Sequence, residues 1–245
     1  MDVNLTIDQG NSAAKLSVFG DDRLLFSCRK DRLTPADVSQ VIRQFSVTKA
    51  IYSSVAGRDT EVLAELHKQL RTVYELSADL PLPLTLDYTT PHSLGHDRIA
   101  AAAGAITLLP GRNVLIVDAG TAVTYDFVTA NRHFLGGNIG PGISLQLAAL
   151  SHDCVQLPQV EPTGETPLLG HDTVTAIRAG VVEGIVAQAS YLAHRLSEQY
   201  EEVAVVLTGG DGTLISSLLT DVDKTVNNDL VAIGLNSILK YNELL

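Results

Sequence analysis

Two similar stretches of the sequence combine a carboxylate, a glycine and hydroxyl groups directly after a short apolar strand. The first is Asp8–Lys15 (DQGNSAAK), and the second is Asp118–Thr121 (DAGT), whose aspartate comes 118 − 8 = 110 residues later. A turn lined by backbone N–H groups suits an anionic phosphate, and a nearby carboxylate can hold the metal ion that balances its charge. A single Asp-x-Gly turn is a weak signal, because it is also an ordinary hairpin. Two copies half a chain apart predict two similar lobes with a nucleotide held between the turns.

A third group of polar residues precedes a long apolar stretch. Gly95-His96-Asp97-Arg98 comes directly before residues 99–109, which are almost all Ala, Ile and Leu and predict a buried helix. In a functional interpretation, Asp97 accepts a proton from a substrate hydroxyl while Arg98 binds a substrate carboxylate or phosphate. In a structural interpretation, Asp97 only caps the helix. The spacing alone leaves both interpretations open.

The second turn carries further candidates. Asp118 closes an apolar strand, where burying a carboxylate is costly without a partner, and a cation is the natural partner. Thr121, Thr124 and Asp126 complete this group, in which the hydroxyls and carboxylates could face a phosphate and its cation. For Asp126, the alternative is a carboxylate at the end of a strand that is satisfied by local N–H groups.

Two glycine-rich stretches allow two interpretations each. Gly136-Gly137, Gly140 and Gly142 lie within seven residues, and Thr208-Gly209-Gly210 follows an apolar strand. The glycines could serve loops that need positive φ, or they could let the backbone approach a ligand closely at a helix N-terminus. In the second interpretation, the later stretch would let a flat adenine lie against the chain.

Apolar periodicity predicts the same βββαβα order in both halves of the chain. Thr34 with Pro35, and Asp172, are predicted as helix N-caps, and the Pro-rich stretch 151–169 is predicted to be a flap or loop. The predicted strands are 2–8, 14–19, 24–28, 49–54, 113–118, 122–129, 133–139, 203–207 and 222–226, and the predicted helices include 35–45, 59–72, 99–109, 142–150, 173–199 and 230–241.

Composition limits the class of protein. The chain has 245 residues, 45% of them hydrophobic, with a net charge of −11 and a pI of about 4.9. We therefore expect two lobes, 1–111 and 112–245, and a surface that binds neither nucleic acid nor an anionic membrane. No signal peptide is expected from the N-terminal residues, and no apolar run has the length of a membrane span. Cys28 and Cys154 have no metal-binding spacing and are expected to be free thiols of a cytoplasmic protein.

Together these motifs resemble a known family. Two Asp-Gly phosphate turns in duplicated lobes are similar to the superfamily of sugar kinases, Hsc70 and actin, an α/β class of actin-like (ribonuclease H-like) lobes with a nucleotide cleft between them. More narrowly, four blocks resemble type III pantothenate kinases over nearly the whole chain and in the family's order: Asp8–Lys15, Gly95–Arg98, Asp118–Thr124 and Gly136–Gly142. The Gly-x-Asp-Arg block is the specific one, because generic superfamily members lack it there.

The resemblance implies ATP-dependent phosphorylation of pantothenate to 4'-phosphopantothenate, the first step of coenzyme A biosynthesis. It implies Asp97 as the general base, Asp118 as the ligand of a monovalent cation (K⁺ or NH₄⁺), and Mg²⁺ with the nucleotide. A homodimer is expected, with part of the pantothenate site completed across the interface. The implied pantothenate-binding residues are Tyr88, Gly95, His96, Asp97, Arg98 and Thr173, and the implied ATP-binding residues are Asp8, Gln9, Gly10, Asn11, Ser12, Ala13, Ala14, Lys15 and Thr121. Ser12 stands where threonine is usual in the family, which keeps the hydroxyl.

Two alternatives remain at this stage. The first is another small-molecule kinase of the superfamily, for example one that acts on a sugar. The cysteine-rich zinc motif of one sugar-kinase group is absent, since the chain has two cysteines. The second is a non-catalytic accessory factor for transcription, as described for close relatives of the family. The acidic balance argues against direct DNA contact, and an intact Asp97 favours catalysis.

Overall fold

The computed structural model describes residues 2–245, which form two compact units. Unit 1 comprises the chain up to Pro110 together with Arg132–Phe134 and Asp229–Leu245, and unit 2 comprises Gly111–Asn131 and Leu135–Asn228. The lobes predicted from the repeat, 1–111 and 112–245, follow the order of the chain. The compact units differ from them mainly because the C-terminal helix, within Asp229–Leu245, belongs to unit 1.

The described residues form eleven strands and seven α-helices. The strands are β1 (Val3–Gln9), β2 (Ala14–Gly20), β3 (Arg23–Lys30), β4 (Lys49–Ser54), β5 (Thr72–Glu75), β6 (Thr85–Leu86), β7 (Asn113–Ala119), β8 (Ala122–Val128), β9 (His133–Pro141), β10 (Val203–Thr208) and β11 (Lys224–Val226). The helices are α1 (Pro35–Phe45), α2 (Thr60–Gln69), α3 (His96–Leu108), α4 (Ile143–Asp153), α5 (Thr173–Ser197), α6 (Gly212–Leu218) and α7 (Leu230–Glu243). None of these helices is both long and apolar enough to span a membrane.

The strand order confirms the predicted duplication. The sheet of unit 1 has the order β3-β2-β1-β4-β5, and the strands β9-β8-β7-β10-β11 repeat that order in unit 2. In both, the first strand of the repeat is central, with an antiparallel neighbour on one side and a parallel neighbour on the other. Each repeat contains the predicted βββαβα elements and continues with one more strand and helix, β5 with α3 and β11 with α7. Both candidate phosphate turns therefore follow a central strand.

Local sequence signals place two helix starts correctly. The Thr34 hydroxyl accepts a hydrogen bond from the Asp37 N–H at 3.2 Å, with Pro35 as the first helical residue of α1. The Asp172 carboxylate accepts from the Thr175 N–H at 2.8 Å at the start of α5. Both caps satisfy backbone N–H groups that the helix itself leaves without partners.

Helix α3 differs from the sequence prediction at its start. It begins at His96 rather than at residue 99, with Gly95 as its N-cap, so Asp97 and Arg98 lie in the first turn. The helix is buried from Arg98 to Ile106, as predicted. It crosses α7 of the same unit at two glycines: a Cβ at Gly104 or at Gly234 would overlap a backbone carbonyl of the other helix. This backbone contact joins α7 to α3.

Residues 154–172 have no regular structure, as expected, although α4 extends to Asp153. Arg178 of α5, which is 8% exposed, holds this segment in place. Its guanidinium donates hydrogen bonds to the carbonyl oxygens of Glu161 and Glu165, both at 3.0 Å. The segment is therefore anchored to α5 from within unit 2.

Candidate active site

The first phosphate turn joins β1 to β2 at the end of the central strand of unit 1. The Gly10 N–H donates to the Ala13 carbonyl at 2.9 Å, which closes the turn. A Cβ at Gly10 would lie 3.3 Å from the same oxygen, so a larger residue would crowd the turn. Asn11 and Ser12 are exposed. The hydroxyl of Ser12 and the adjoining backbone are thus accessible to an anion.

Lys15 has a partner that the sequence did not identify. It stands opposite Asp8 in the antiparallel pair of β1 and β2. Its ammonium group forms an ion pair with Asp229, just before α7, with an Nζ–Oδ1 distance of 2.8 Å. Asp229 had no predicted role. The positive charge of Lys15, a residue that the resemblance implies in ATP binding, is therefore shared with a carboxylate of the same unit.

The second phosphate turn joins β7 to β8 in unit 2. Asp118 pairs in register with Thr124 of β8 and with Thr208 of β10, and its side chain is half-buried. Thr121 is exposed at the tip of the turn. Asp126 is 0% exposed and lies in the middle of β8 opposite Ile116, so its interpretation as a strand-end carboxylate is wrong.

The glycine-rich stretches mostly serve contacts within unit 2. Gly136 and Gly209 have positive φ angles of 122° and 84°. A Cβ at Gly137 would overlap the carbonyl oxygen of Tyr125, and a Cβ at Gly142 would overlap that of Gly120. The close approaches at these glycines are therefore to the protein backbone.

The turn after β10 lies against the second phosphate turn. A Cβ at Gly209 would come within 2.5 Å of the Asp118 carboxylate, and the Asp211 N–H donates to the Ala119 carbonyl at 2.9 Å. Burial raises the pKa of the Asp211 carboxyl. Gly210 has no atom within 4 Å of the position of a Cβ, so space remains beside it.

The start of α3 holds the proposed base. The Asp97 carboxylate accepts a hydrogen bond from the Arg98 N–H at 2.8 Å and lies where a Cβ at Gly95 would crowd it, at 2.5 Å. Gly95 is thus needed for the position of this carboxylate. Asp97 and His96 are both half-buried.

Arg98 is enclosed by aromatic side chains of unit 1. It is 5% exposed, and the centre of its guanidinium lies 5.8 Å from the ring centroids of both Tyr88 and Phe134. The two rings contact each other edge to face with their centroids 6.1 Å apart. Phe134 was missed by sequence analysis, because nothing in a single apolar residue of a strand indicates a partner so far away along the chain. Stacking on aromatic faces holds the plane of a guanidinium.

The short strand β6 positions Tyr88. The Asp87 N–H donates to the Phe134 carbonyl at 2.9 Å, and the Asp87 carboxylate lies 2.8 Å from the His133 ring nitrogen Nδ1. Tyr88 directly follows and is thereby brought to Arg98. Thr173 is the first residue of α5 in unit 2 and is exposed.

One aspartate precedes or begins each phosphate turn, Asp8 in unit 1 and Asp118 in unit 2. Residues 2–245 contain no group of three or more His, Cys, Asp or Glu side chains that could hold a metal ion. Mg²⁺ in nucleotide sites is usually held by one or two carboxylates together with phosphate oxygens and water. Each unit supplies one such carboxylate.

Comparisons with known proteins agree with the sequence resemblance. A family model described as type III pantothenate kinase matches residues 4–195. A curated relative from Phocaeicola vulgatus, named type III pantothenate kinase, is 39% identical over 244 residues, covering 99% of this chain and 100% of that protein.

Solved structures confirm the predicted fold class. A Campylobacter jejuni protein described as a "conserved putative Baf family transcriptional activator" has a TM-score of 0.60 and 26% identity, covering 98% of this chain and 100% of the other. Component A of the (R)-2-hydroxyglutaryl-CoA dehydratase of Acidaminococcus fermentans has a TM-score of 0.52 and 13% identity, covering 98% and 97%. The second match shows the fold alone.

Proposed function

Because the chain belongs to the type III pantothenate kinase family and phosphorylates pantothenate with ATP in coenzyme A biosynthesis, we propose that Asp97 is the general base of this reaction. The supporting observation is the position of its carboxylate, in the first turn of α3 beside the buried Arg98. Phosphoryl transfer depends mainly on positioning and charge neutralisation, with a carboxylate aligning the attacking hydroxyl and accepting its proton. One Asp97 oxygen accepts the Arg98 N–H, which leaves the other for the substrate.

Arg98 is proposed to bind the carboxylate of pantothenate. A guanidinium can make two parallel, charge-assisted hydrogen bonds to a carboxylate. The contacts with Tyr88 and Phe134 support this role, because they restrict the orientation of the group before substrate arrives. Tyr88, Gly95 and His96 are proposed to line the same pocket.

The two turns are proposed to bind ATP. Residues Asp8–Lys15, with the exposed Ser12 hydroxyl, would contact phosphate oxygens, and Thr121 would contact the nucleotide. Asp118 is proposed to hold a monovalent cation, K⁺ or NH₄⁺, and Mg²⁺ is proposed to accompany ATP. When bound, both ions supply positive charge that offsets the phosphates.

A homodimer is also proposed, with Thr173 completing the pantothenate site of the other subunit. The support is a set of large apolar side chains of unit 2 that are exposed in the single chain, as those of an interface between two copies would be. The set comprises Leu135, Ile139, Leu145, Val155, Leu168, Leu169, Val174 and Tyr191.

The free thiols of Cys28 and Cys154 support the proposed cytoplasmic location, and no role in binding nucleic acid or membranes is proposed.

A coupled assay of ATP consumption tests the function and its ions. Pantothenate is compared with a panel of sugars, each in potassium, ammonium and sodium salts. We expect turnover with pantothenate and not with the sugars. We also expect activation by potassium or ammonium and weak activity in sodium. Turnover with a sugar would contradict the assignment of pantothenate as the substrate. Equal activity in the three salts would contradict a role for a monovalent cation. A DNA mobility shift on the same preparation tests the transcription alternative, which a net charge of −11 disfavours.

A further inference from the structure

Tyr52 connects the first phosphate turn to a helix start. It lies in β4 and is 3% exposed, with its ring in the core beside Leu5 and Ile7. Its hydroxyl has two partners: it donates to Gln9 Oε1 at 2.8 Å and accepts from the Asp59 N–H at 3.1 Å. A buried hydroxyl that both donates and accepts a hydrogen bond is costly to disturb. These two bonds therefore hold the Tyr52 hydroxyl in one position.

The bond from Tyr52 fixes which end of the Gln9 amide faces outward. The Tyr52 hydroxyl has one proton to donate, and the amide oxygen of Gln9 accepts it, while the Tyr52 oxygen accepts the hydrogen of the Asp59 N–H. The amide nitrogen of Gln9 has no hydrogen bond to any residue within 2–245. The two N–H groups of this amide are therefore available to donate hydrogen bonds, and the oxygens of a phosphate accept such bonds.

Gln9 is also held through its backbone. Its carbonyl accepts a hydrogen bond from the Val55 N–H at 3.0 Å, in the loop that follows β4. Gln9 is the last residue of β1, directly before the turn residue Gly10. The side chain and the backbone of Gln9 are thus both tied to β4 and the loop after it.

The other end of the connection is rigid. Asp59 is the N-cap of α2, and its carboxylate accepts from the Glu61 and Val62 N–H groups, both at 3.1 Å. The hydroxyl of Tyr52 therefore bridges the phosphate turn to a capped helix, and both ends of the bridge have fixed positions.

We propose that Tyr52 is a positioning residue for ATP, which acts by holding Gln9 with its amide nitrogen available to a phosphate oxygen. This inference rests on the proposed role of Asp8–Lys15 in binding ATP. Tyr52 itself touches no substrate in this proposal. Removing its hydroxyl frees the Gln9 amide to rotate and to present its oxygen, which would repel the anion.

The test is Tyr52→Phe, which removes one oxygen and keeps the ring in the core. We expect the KM for ATP to rise about three- to tenfold, the range of one hydrogen bond, with an unchanged KM for pantothenate. The matched control is Tyr74→Phe in β5 of the same unit. The Tyr74 hydroxyl also donates a hydrogen bond, at 3.3 Å, but to the Asn242 carbonyl in α7. The control should leave the KM for ATP unchanged.

Two further variants separate this inference from the function on which it rests. Gln9→Leu should raise the KM for ATP, and the double variant with Tyr52→Phe should add little, because both remove the same contact. Ser12→Ala tests the turn directly. A raised KM for ATP in Ser12→Ala with an unchanged one in Tyr52→Phe overturns the role of Tyr52 alone. Unchanged values in Ser12→Ala, Gln9→Leu and Tyr52→Phe overturn the role of the turn. A lower Tm in Tyr52→Phe without a change in the KM for ATP would show that the hydroxyl has only a structural role, which contradicts the proposal.

Discussion

At the scale of single residues, Asp97 serves either as the base or as a helix cap, and a substitution separates the two. Asp97→Asn keeps the size of the side chain and removes its charge. We expect turnover to fall roughly 10²-fold or more, with ATP binding and Tm nearly unchanged. Steady-state kinetics and thermal unfolding on one preparation measure both. Near-normal turnover would show that Asp97 is only a cap.

Asp37 provides a matched control, because its carboxylate does cap a helix. It accepts from the Thr34 N–H at 3.1 Å and pairs with Lys30 at 2.8 Å. Lys30 and then Thr34 lower the pKa of Asp37. A lowered folded-state pKa stabilises the fold above the unfolded-state pKa of about 3.9 and loses that effect as the pH falls below it. Asp37→Asn should therefore reduce Tm at neutral pH, and the reduction should shrink as the pH falls through the lowered folded-state pKa, with turnover unchanged.

Arg98 gives the second prediction at this scale. Arg98→Lys keeps the charge and loses the planar, two-pronged donor. We expect the KM for pantothenate to rise roughly tenfold or more, as for a charged hydrogen bond of about 1.5–3 kcal/mol, with little change in the KM for ATP. A purely structural Arg98, held by Tyr88 and Phe134, would instead give a lower Tm and an unchanged KM for pantothenate. Measuring both quantities decides between the two roles.

At the scale of elements, the crossing of α3 and α7 depends on glycine. A Cβ at Gly234 would overlap the Ala100 carbonyl, so Gly234→Ala should lower the free energy of unfolding by about 1–3 kcal/mol. The control is Gly180→Ala in α5, where no atom lies within 4 Å of the position of a Cβ. Alanine there should stabilise the helix by about 0.5–1 kcal/mol. Denaturant unfolding measures both, and equal effects of the two substitutions would contradict the close crossing.

The elements also show how far sequence reasoning reaches. Caps such as Thr34 and Asp172 and the turns after β1 and β7 were predicted correctly, because their signals lie within a few residues. Strand β5 was missed, since Thr72–Glu75 is half-buried throughout and lacks alternation. The predicted helix 59–72 ends at Gln69 because Thr72 begins the pairing of β5 with β4. At the candidate site, the motifs could be recognised from the sequence. The Lys15–Asp229 ion pair and the position of Phe134 beside Arg98 could not be predicted, because they depend on contacts between distant parts of the chain.

At the scale of the whole molecule, the exposed apolar side chains of unit 2 predict self-association. Leu168 and Leu169 are 81% and 83% exposed and lie in the segment before Thr173. The double variant Leu168→Glu/Leu169→Glu should be monomeric by sedimentation, because like charges would face each other in a symmetric interface. Its KM for pantothenate should rise, with the KM for ATP unchanged. Leu244→Glu, an equally exposed position in unit 1, is the control and should remain dimeric. A dimeric double variant, or a monomer with unchanged kinetics, would contradict the shared site.

The assignment of α7 to unit 1 has a consequence during synthesis on the ribosome. A nascent chain that has reached Asn228 already contains every residue of unit 2, but unit 1 still lacks Asp229–Leu245. Until those residues emerge, the side of α3 that receives α7 at Gly104 stays open to solvent and to chaperones. The first part of the chain to be translated is thus the last to be completed, which reverses the usual N-terminal-first order of domain folding.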